Sequence, residues 1–302
     1  MGSGKRFKKI GHLFKETFME CINDNVLKLS AALSYYTIFS LPPLAIIVTS
    51  FCGIYYGQAA VQGDLYEKIN GFVGKRAALQ IQEIIKSVNL STHNVFAAIA
   101  GVIILVIVAS GVFSEIQDSI NYIWGIKSKP KRGLVRFVMN RLMSFSMIAT
   151  AGLLLLINVV ITSLMDILNK KLLINLLPET IYFYYLLTHI LLFFLITLLC
   201  VVIFKVLPDG KISIRDCLLG ASFTAILFMI GKFLIGAYLR SSTMATVYGT
   251  TGSVILILAW IYYTAIILYF GAEFTKVYSM IYGKKIIPNN YTVMITKPEE
   301  NL

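Results

Sequence analysis

Charged residues are scarce in this chain. Only 14% of its 302 residues are Asp, Glu, Lys or Arg, whereas ordinary globular domains carry about 25%. Hydrophobic residues make up 57% of the sequence, and so few charges could not cover the surface of a soluble fold. The composition excludes a soluble globular domain and indicates a membrane protein with several spans.

Cysteine and histidine are also few. The four cysteines, Cys21, Cys52, Cys200 and Cys217, have no metal-binding spacing, so free thiols are expected. Only three histidines occur, and the sequence has no cluster of His and Asp typical of a metal-dependent nuclease. No complete phosphate loop of the form G-x-x-x-x-G-K-[ST] is present either. We therefore expect no catalytic residues, no metal and no cofactor, and interpret the protein as a non-enzyme.

Long apolar runs are abundant instead. Six of them reach the length of about 20 residues that a membrane helix needs, which predicts an all-α polytopic membrane protein. The predicted spans are Leu29–Tyr56, Val95–Trp124, Leu142–Met165, Ile181–Val206, Ile214–Leu239 and Ser253–Tyr278. The predicted domains are a cytoplasmic N-terminal segment (1–28), a six-helix domain (29–280) with an external amphipathic segment (57–94), and a flexible cytoplasmic tail (281–302).

The basic residues predict how these helices are oriented. The segments on the side that holds both termini carry 19 Lys and Arg, and those on the other side carry 7. Because cytoplasmic loops are enriched in Lys and Arg, both termini are predicted to be cytoplasmic. We attribute the net charge of +12 to this topology and to contact with membrane lipids, anionic head groups included. Nucleic acid is not an expected partner, and the oligomeric state is left open.

A pair of prolines interrupts the first span. Pro42 and Pro43 lack the N–H groups that would bond two carbonyls one turn earlier, and unpaired carbonyls are costly in hydrocarbon. Ser34 and Tyr36 lie on polar stripes just before this break. We predict a kinked helix whose inner half faces a water-containing cavity. A kink used only for packing is the alternative.

Acidic residues lie within the second and sixth spans. Glu115 and Asp118 share one helical face with Asn121 or Tyr122, and Glu273 lies in the sixth span. Carboxylates inside a membrane are rare, and they are functional candidates, for example as proton carriers.

Two aromatic residues bear on the depth of the glutamates. Trp124 and Tyr282 each follow one of them by nine residues, which corresponds to about 13 Å along a helix. If both aromatic residues mark the membrane interface, the two glutamates lie at a similar depth. The alternative is a structural ion pair with Arg141 or Lys276, or solvation at the interface.

Basic residues lie in the outer half of the fifth span. Lys232, Gly236 and Arg240 recur every four residues, so a glycine separates two cations on one face. His189 falls in the same half of the fourth span by residue count. This cationic face would suit an anionic head group. The alternatives are that Lys232 extends to the interface and that His189 is a packing residue.

Several stretches carry a resemblance to a known family. They are "AALSYYTIFSLPPL" (31–44), "EIQDSINYIWGI" (115–126), "LPDGKISIRDCLLGA" (207–221) with "GKFLIGAYL" (231–239), and "VYGTTGSVILILAWIYYTAIILYFGAEF" (247–274). From about Lys15 to Tyr282 the chain resembles the YihY/BrkB family of bacterial inner-membrane proteins. The resemblance implies an all-helical fold in that membrane and little defined chemistry. Members are linked to envelope integrity, serum resistance and lipid export, and the family has carried a ribonuclease label.

The combined pattern favours transport. A broken first helix, buried acids on the inner side and cations on the outer side predict a transporter or flippase-like protein for a lipid or an amphiphilic anion. Energy would come from a gradient or a partner, because no ATPase motif is present. A non-transporting protein that maintains the envelope is the alternative, and ribonuclease activity is not expected. The candidate residues for transport or ligand binding are Ser34, Tyr36, Pro42, Pro43, Glu115, Asp118, Arg141, His189, Lys232, Arg240 and Glu273.

Overall fold

The protein is largely helical where a computed structural model describes it, at residues 3–40, 111–128, 179–241, 249–289 and 292–295. Six helical segments and four short strands occur in these residues. The helices are α1 (Ser3–Asn23), α2 (helical over 26–40), α3 (helical over 111–123), α4 (Glu179–Val206), α5 (Ile214–Ser241) and α6 (Gly249–Ile281). The strands are β1 (Ile126–Ser128), β2 (Gly210–Lys211), β3 (Ile287–Pro288) and β4 (Thr292–Met294).

Three helices are long and apolar enough to cross a membrane within the described ranges. The candidate spans are Leu186–Val206 in α4, Ile214–Leu234 in α5 and Ile257–Ile281 in α6, with 21, 21 and 25 residues. Each satisfies the requirement of about 20 apolar residues for a bilayer. They overlap the fourth, fifth and sixth predicted spans, whose helical character is confirmed, and they mark the protein as a membrane protein.

The other three predicted spans are described in part or not at all. The first is helical over its described portion up to residue 40, and the second is helical over 111–123. The third span lies outside the described residues. The external segment at 57–94 and the proline pair, Pro42 and Pro43, lie outside them as well.

Contacts divide the chain into two compact units. One unit comprises Met1–Val26, Ile116–Gly231 and Ile267–Leu302, and the other comprises Leu27–Glu115 and Lys232–Ile266. The first unit contains α1 and α4, most of α3 and α5, the end of α6 and all four strands. The contacts described in the rest of this subsection lie within that unit.

Helices α5 and α6 approach each other closely through glycine and threonine. Gly220 of α5 faces Thr275 of α6, and Gly271 of α6 faces Thr224 of α5; a Cβ atom on either glycine would overlap the threonine hydroxyl. Thr224 Oγ1 donates to Gly220 O at 2.8 Å, and Thr275 Oγ1 donates to Gly271 O at 2.6 Å. The small residues therefore let two helix backbones meet while each hydroxyl is hydrogen-bonded within its own helix.

Helix α1 packs one side against α5 and α6. Leu13 is buried in a cluster with Phe274 and Val277. The ring of Phe14 contacts the rings of Phe223 and Phe274 at centroid distances of 5.6 and 5.9 Å. The predicted N-terminal segment is therefore a helix attached to the membrane-spanning helices.

A left-handed residue ends α1. Asn25 has φ 51°, a conformation that asparagine tolerates better than most residues with a side chain. Its N–H donates to Ile22 O at 3.0 Å. The turn at residues 24–25 lets the chain leave α1 and begin α2 at residue 26.

Two small antiparallel sheets connect the C-terminal segment with the connections that follow α3 and α4. In one sheet β1 pairs with β4, with Ile126 opposite Met294. In the other β2 pairs with β3, with Gly210 opposite Pro288. The region predicted as a flexible tail thus contains two strands, because exposed edges of earlier connections offer backbone groups with which it can pair.

Candidate functional site

A lysine and three acids meet where α1 packs on α6. Lys276 Nζ lies 2.5 Å from Glu20 Oε2, 3.3 Å from Asp24 Oδ2 and 3.2 Å from Glu273 Oε2. Glu273 and Lys276 are nearly one turn apart on α6. Glu20 lies in the last turn of α1, and Asp24 directly follows that helix. Together the four residues form the charge cluster.

The charge cluster is mostly closed to solvent. The side chains of Glu273, Asp24 and Lys276 are 0%, 2% and 7% exposed, whereas Glu20 is 34% exposed. Buried charges are costly unless they are paired and hydrogen-bonded. The three contacts of the ammonium supply this pairing, yet the acids outnumber the base three to one. If all four groups are ionised, the cluster carries surplus negative charge.

One oxygen of Glu273 has no hydrogen-bond partner among the residues that the structure describes. This atom, Oε1, is buried, while Oε2 contacts Lys276. A buried polar atom left unsatisfied costs roughly 1–3 kcal/mol, and more when it is charged. Such an atom is a suitable position for a proton or for a bound water molecule.

The three acids could also offer ligands to a metal ion. Their ligand atoms lie within 4.8 Å of one another. However, Lys276 Nζ already contacts one oxygen of each acid, so a metal ion would place a second cation beside the buried ammonium. The geometry fits a lysine as the resident cation, and we do not assign a metal centre here.

Cys21 lies on α1 beside the charge cluster. It is a half-buried free thiol. Burial, followed by the nearby charge of Glu273, raises the pKa of this thiol from 9.0 to about 12. The thiol is therefore protonated and unreactive at neutral pH, since the thiolate is the nucleophilic form.

A second polar group centres on Asp209, in the connection between α4 and β2. Its buried carboxylate accepts from Gln117 Nε2 at 3.2 Å and from Asn121 Nδ2 at 3.0 Å, and its N–H donates to Asn121 Oδ1 at 2.8 Å. Its carbonyl accepts from Asn289 N at 3.0 Å and Thr292 Oγ1 at 3.1 Å. Asp209 thereby joins α3, the turn after α4 and the C-terminal strands, which is a structural role.

These contacts distinguish between the two residues, Asn121 and Tyr122, that the prediction offered for the polar face of α3. Asp118 and Tyr122 are exposed, while Gln117 and Asn121 are buried. Asn121 therefore belongs with Gln117, four residues earlier, and not with Asp118. The prediction did not include Gln117 or the partner Asp209, because a single sequence does not show that two amides, each with a donor and an acceptor, meet a distant carboxylate. Glu115 is half-buried.

The premise for an equal depth of Glu115 and Glu273 is wrong. Trp124 is buried, and its Nε1 donates to Ala272 O at 3.2 Å. Ala272 precedes Tyr282 by ten residues, or about 15 Å along α6. Trp124 and Tyr282 therefore do not mark one level. The indole N–H has a protein partner and does not need the membrane interface to satisfy it.

The polar stripe of α2 bonds to its own helix. Ser34 is buried, and its Oγ donates to Ser30 O at 2.6 Å. Thr37 Oγ1 donates in the same way to Leu33 O at 2.8 Å. Tyr36 is exposed and packs its ring beside Gly111. Ser34 is thus not open to solvent in the described structure.

The remaining candidates lie on α4 and α5 or outside the described residues. His189 and Lys232 are exposed on α4 and α5. Arg240 belongs to α5, but its side chain lies outside the description. Pro42, Pro43 and Arg141 lie outside it entirely. Of the predicted residues, Glu273 is the one that belongs to the charge cluster.

Sequence reasoning missed Glu20 and Asp24 and considered Lys276 only as an ion-pair partner. A local signal for the first two exists. Leu13, Thr17, Glu20 and Asp24 follow the i, i+4, i+7, i+11 spacing of one helical face, and the structure buries that face apart from part of Glu20. The spacing indicates a packed helix but does not identify its partner on α6.

Comparisons with known proteins agree with the fold. A family model described as "Virulence factor BrkB" matches residues 17–288. A "UPF0761 membrane protein" of Saccharophagus degradans is 25% identical over 270 residues, which cover 88% of this chain and 59% of the relative. Proteins of the same name in Pseudomonas aeruginosa and Stenotrophomonas maltophilia are 26% and 27% identical, over 83% and 84% of this chain and 59% and 58% of the relatives.

The curated relatives are longer than this chain. The chain spans about three fifths of the length of the curated relatives. No solved structure matches it. The family model covers most of the chain, which confirms the resemblance noted in the sequence. This protein is a membrane protein with apolar helices, and it belongs to the BrkB virulence-factor family.

Proposed function

We propose that the protein moves a lipid or an amphiphilic anion across the bacterial inner membrane, and that proton uptake at the charge cluster is coupled to this movement. The observation that carries the proposal is the surplus of buried acid in the cluster. Glu273 and Lys276 both lie within the candidate span Ile257–Ile281, where each charge is costly.

The cost of such charges supports a function beyond stability. Replacing a buried ion pair by apolar residues of similar volume is often neutral or stabilising. A protein that needed only a stable contact between α1 and α6 could use apolar side chains, as Leu13 and Phe274 do nearby. Ionisable residues retained inside a membrane span are therefore candidates for proton or ion transfer.

Protonation would change the contact between α1 and α6. Lys276 divides its interaction among acids on both helices. A proton on Glu273 would remove one of the charges that hold the ammonium, and the ammonium would then interact more strongly with Glu20 and Asp24. The buried Oε1 atom of Glu273 offers a position for that proton. A change of this kind at a helix contact can bias two conformations.

The nature of the substrate rests on the basic residues of α5. Lys232 is exposed in the second half of α5, nine residues before that helix ends at Ser241. An exposed cation in the second half of an apolar helix suits a substrate that combines an anionic head with an apolar body. Lipids and amphiphilic anions have that chemistry.

A proteoliposome assay tests the proposal. Vesicles would contain the protein and a fluorescent anionic phospholipid, and dithionite added outside would bleach the label exposed to it. We expect wild-type protein to speed transbilayer movement relative to protein-free vesicles, and a pH gradient to change that rate. Glu273→Gln should abolish the response to the gradient. Glu16→Gln removes a partly exposed acid of α1 that lies outside the charge cluster, and it should leave the response unchanged.

Two outcomes would contradict the proposal at different points. Wild-type protein that moves no more lipid than empty vesicles, in either gradient direction, would favour a non-transporting role in the envelope. Movement with an unchanged gradient response in Glu273→Gln would remove the charge cluster as the coupling site. Thermal unfolding of each variant establishes that the protein in the vesicles is folded.

A further inference from the structure

Helix α1 exposes an apolar stripe beside the side that packs on α6. Ile10, Phe14, Phe18 and Ile22 recur every four residues and are 53%, 43%, 61% and 62% exposed. Phe14, the least exposed of the four, borders the packed side, where one part of its ring contacts Phe223 and Phe274. Single exposed apolar side chains are common, but a contiguous row of four large ones along one helix marks an interaction surface. We refer to these four residues as the apolar stripe.

Lysines flank the apolar stripe on one side. Lys8 and Lys15 are exposed and lie two turns apart on the same side of α1. At 100° per residue they lie roughly 90° around the helix from the stripe, and the packed residues Leu13 and Thr17 lie about 100° away in the other direction. The helix therefore has a packed side, an apolar side and a basic side. A helix that presents an apolar side next to a basic side binds at a membrane surface.

The contacts of α1 place the apolar stripe beside the end of a membrane span. Tyr282 follows α6 directly, and its hydroxyl donates to Lys9 O at 3.2 Å. The ring centroids of Tyr278 and Tyr282 lie 5.6 Å apart. Tyrosines are enriched where lipid head groups meet acyl chains, because they combine an apolar ring with a polar tip.

We infer that α1 lies in the membrane interface, with the apolar stripe among the acyl chains of one leaflet and with Lys8 and Lys15 against anionic phospholipid head groups. Charge complementarity and the adjoining span favour a lipid surface as the occupant. The inference does not depend on transport, because it concerns how α1 is held and not what the protein moves.

Photo-crosslinking in nanodiscs tests this inference with the full chain. Benzoylphenylalanine replaces Phe18 on the stripe or His12 on the polar side, and mass spectrometry identifies what each residue captures under light. Nanodiscs contain phosphatidylcholine alone or a mixture with phosphatidylglycerol. We expect lipid adducts at position 18 and few at position 12. In the mixture we expect phosphatidylglycerol adducts above their mole fraction.

A charge variant tests the contact of the lysines with anionic head groups separately from the contact of the apolar stripe with acyl chains. Each lysine close to an anionic surface favours binding by roughly five-fold, so K8Q/K15Q should bring phosphatidylglycerol adducts down towards their mole fraction while total lipid capture persists. The control K211Q/K285Q also removes two exposed lysines and should retain the enrichment. A position-18 adduct to a second copy of the chain, or no adduct, would overturn the inference, as would equal capture at positions 12 and 18. Equal enrichment in K8Q/K15Q and the control would also overturn it. If the position-18 protein does not fold, Ile22 provides the same test.

Discussion

Replacing Lys276 by methionine tests the energetic description of the charge cluster. Coulomb's law with an effective dielectric constant of about 20 gives roughly 5 kcal/mol of attraction for each pair at the distances of Asp24 and Glu273. Glu20 contributes less, because solvent screens its partly exposed carboxylate. Desolvation of the ammonium costs several kcal/mol and offsets much of this attraction.

The free energy of unfolding lost in Lys276→Met should exceed the net stabilisation that the ion pairs provide in the wild-type protein. Lys276→Met fills similar space but leaves two buried acids without their cation. Removing one partner of a buried pair costs about 3–5 kcal/mol, and we expect a value near the upper end because two acids are affected. Adding Glu273→Gln to Lys276→Met should restore about 1–3 kcal/mol, since the coupling between contacting residues has this size.

Thermal and denaturant unfolding in detergent measure the stability of Lys276→Met and of the double variant relative to the wild-type protein. We expect the midpoint temperature of Lys276→Met to fall by about 6 °C or more. Lys211→Met removes an exposed lysine of β2 and should change the free energy of unfolding by no more than about 0.5 kcal/mol. If Lys276→Met is as stable as Lys211→Met, Lys276 does not stabilise the buried acids. If the double variant is less stable than the single one, Glu273 is not the acid left uncompensated.

Three further predictions concern other contacts. Gly220→Ala places a methyl group against α6 and should cost about 1–3 kcal/mol in thermal unfolding, whereas Gly11→Ala, with no atom within 4 Å of the new carbon, should be neutral or stabilising; equal effects would contradict the close approach of the helices. Asp209→Ala leaves buried donors unsatisfied and should cost about 1–3 kcal/mol for each, so the same melt should show a larger loss than for Lys211→Ala. For Cys21, burial raises the pKa of the thiol from 9.0 to about 12, so folding retains a proton that the unfolded thiol releases; this stabilisation is complete below pH 9 and is lost as the pH rises through 12. Iodoacetamide labelling of Cys21, read by peptide mass spectrometry, should therefore keep accelerating about tenfold per pH unit above pH 9 in the folded protein, and a plateau there would contradict this pKa.

Local patterns were sufficient to predict the helices that could cross a membrane. Apolar length alone located α4, α5 and α6, because a bilayer requires a long apolar helix whatever its neighbours are. The same criterion overlooked α1, whose apolar residues alternate with lysines and never form a long run. Its periodicity is readable in the sequence, but the domain prediction describes residues 1–28 only as a cytoplasmic segment. The strands after residue 281 are not predictable from local sequence for another reason. Short strands form only where a strand distant in the chain offers backbone groups with which they can pair.

The candidate site was less accessible to sequence reasoning because its partners are far apart in the chain. Lys276 is separated from Glu20 and Asp24 by 256 and 252 residues. Gln117 and Asn121 are likewise separated from Asp209 by 92 and 88 residues. A single sequence shows which residues are unusual for their surroundings, as it did for Glu273. It does not show which of several distant charges will meet them.

The separation between α1 and its anchor has a consequence for biogenesis. Ribosomes add about 5–20 residues per second, so roughly 10–50 s pass between the synthesis of Asp24 and that of Lys276. During this time the N-terminal helix exists without the lysine that contacts Glu20 and Asp24. It is then available to lipid, to chaperones or to the insertion machinery. A chain cut short before residue 273 would lack Lys276 as well as Phe274 and Val277, against which Leu13 of that helix packs. Helix α6 thus supplies, late in synthesis, the lysine that contacts the acids at the end of α1.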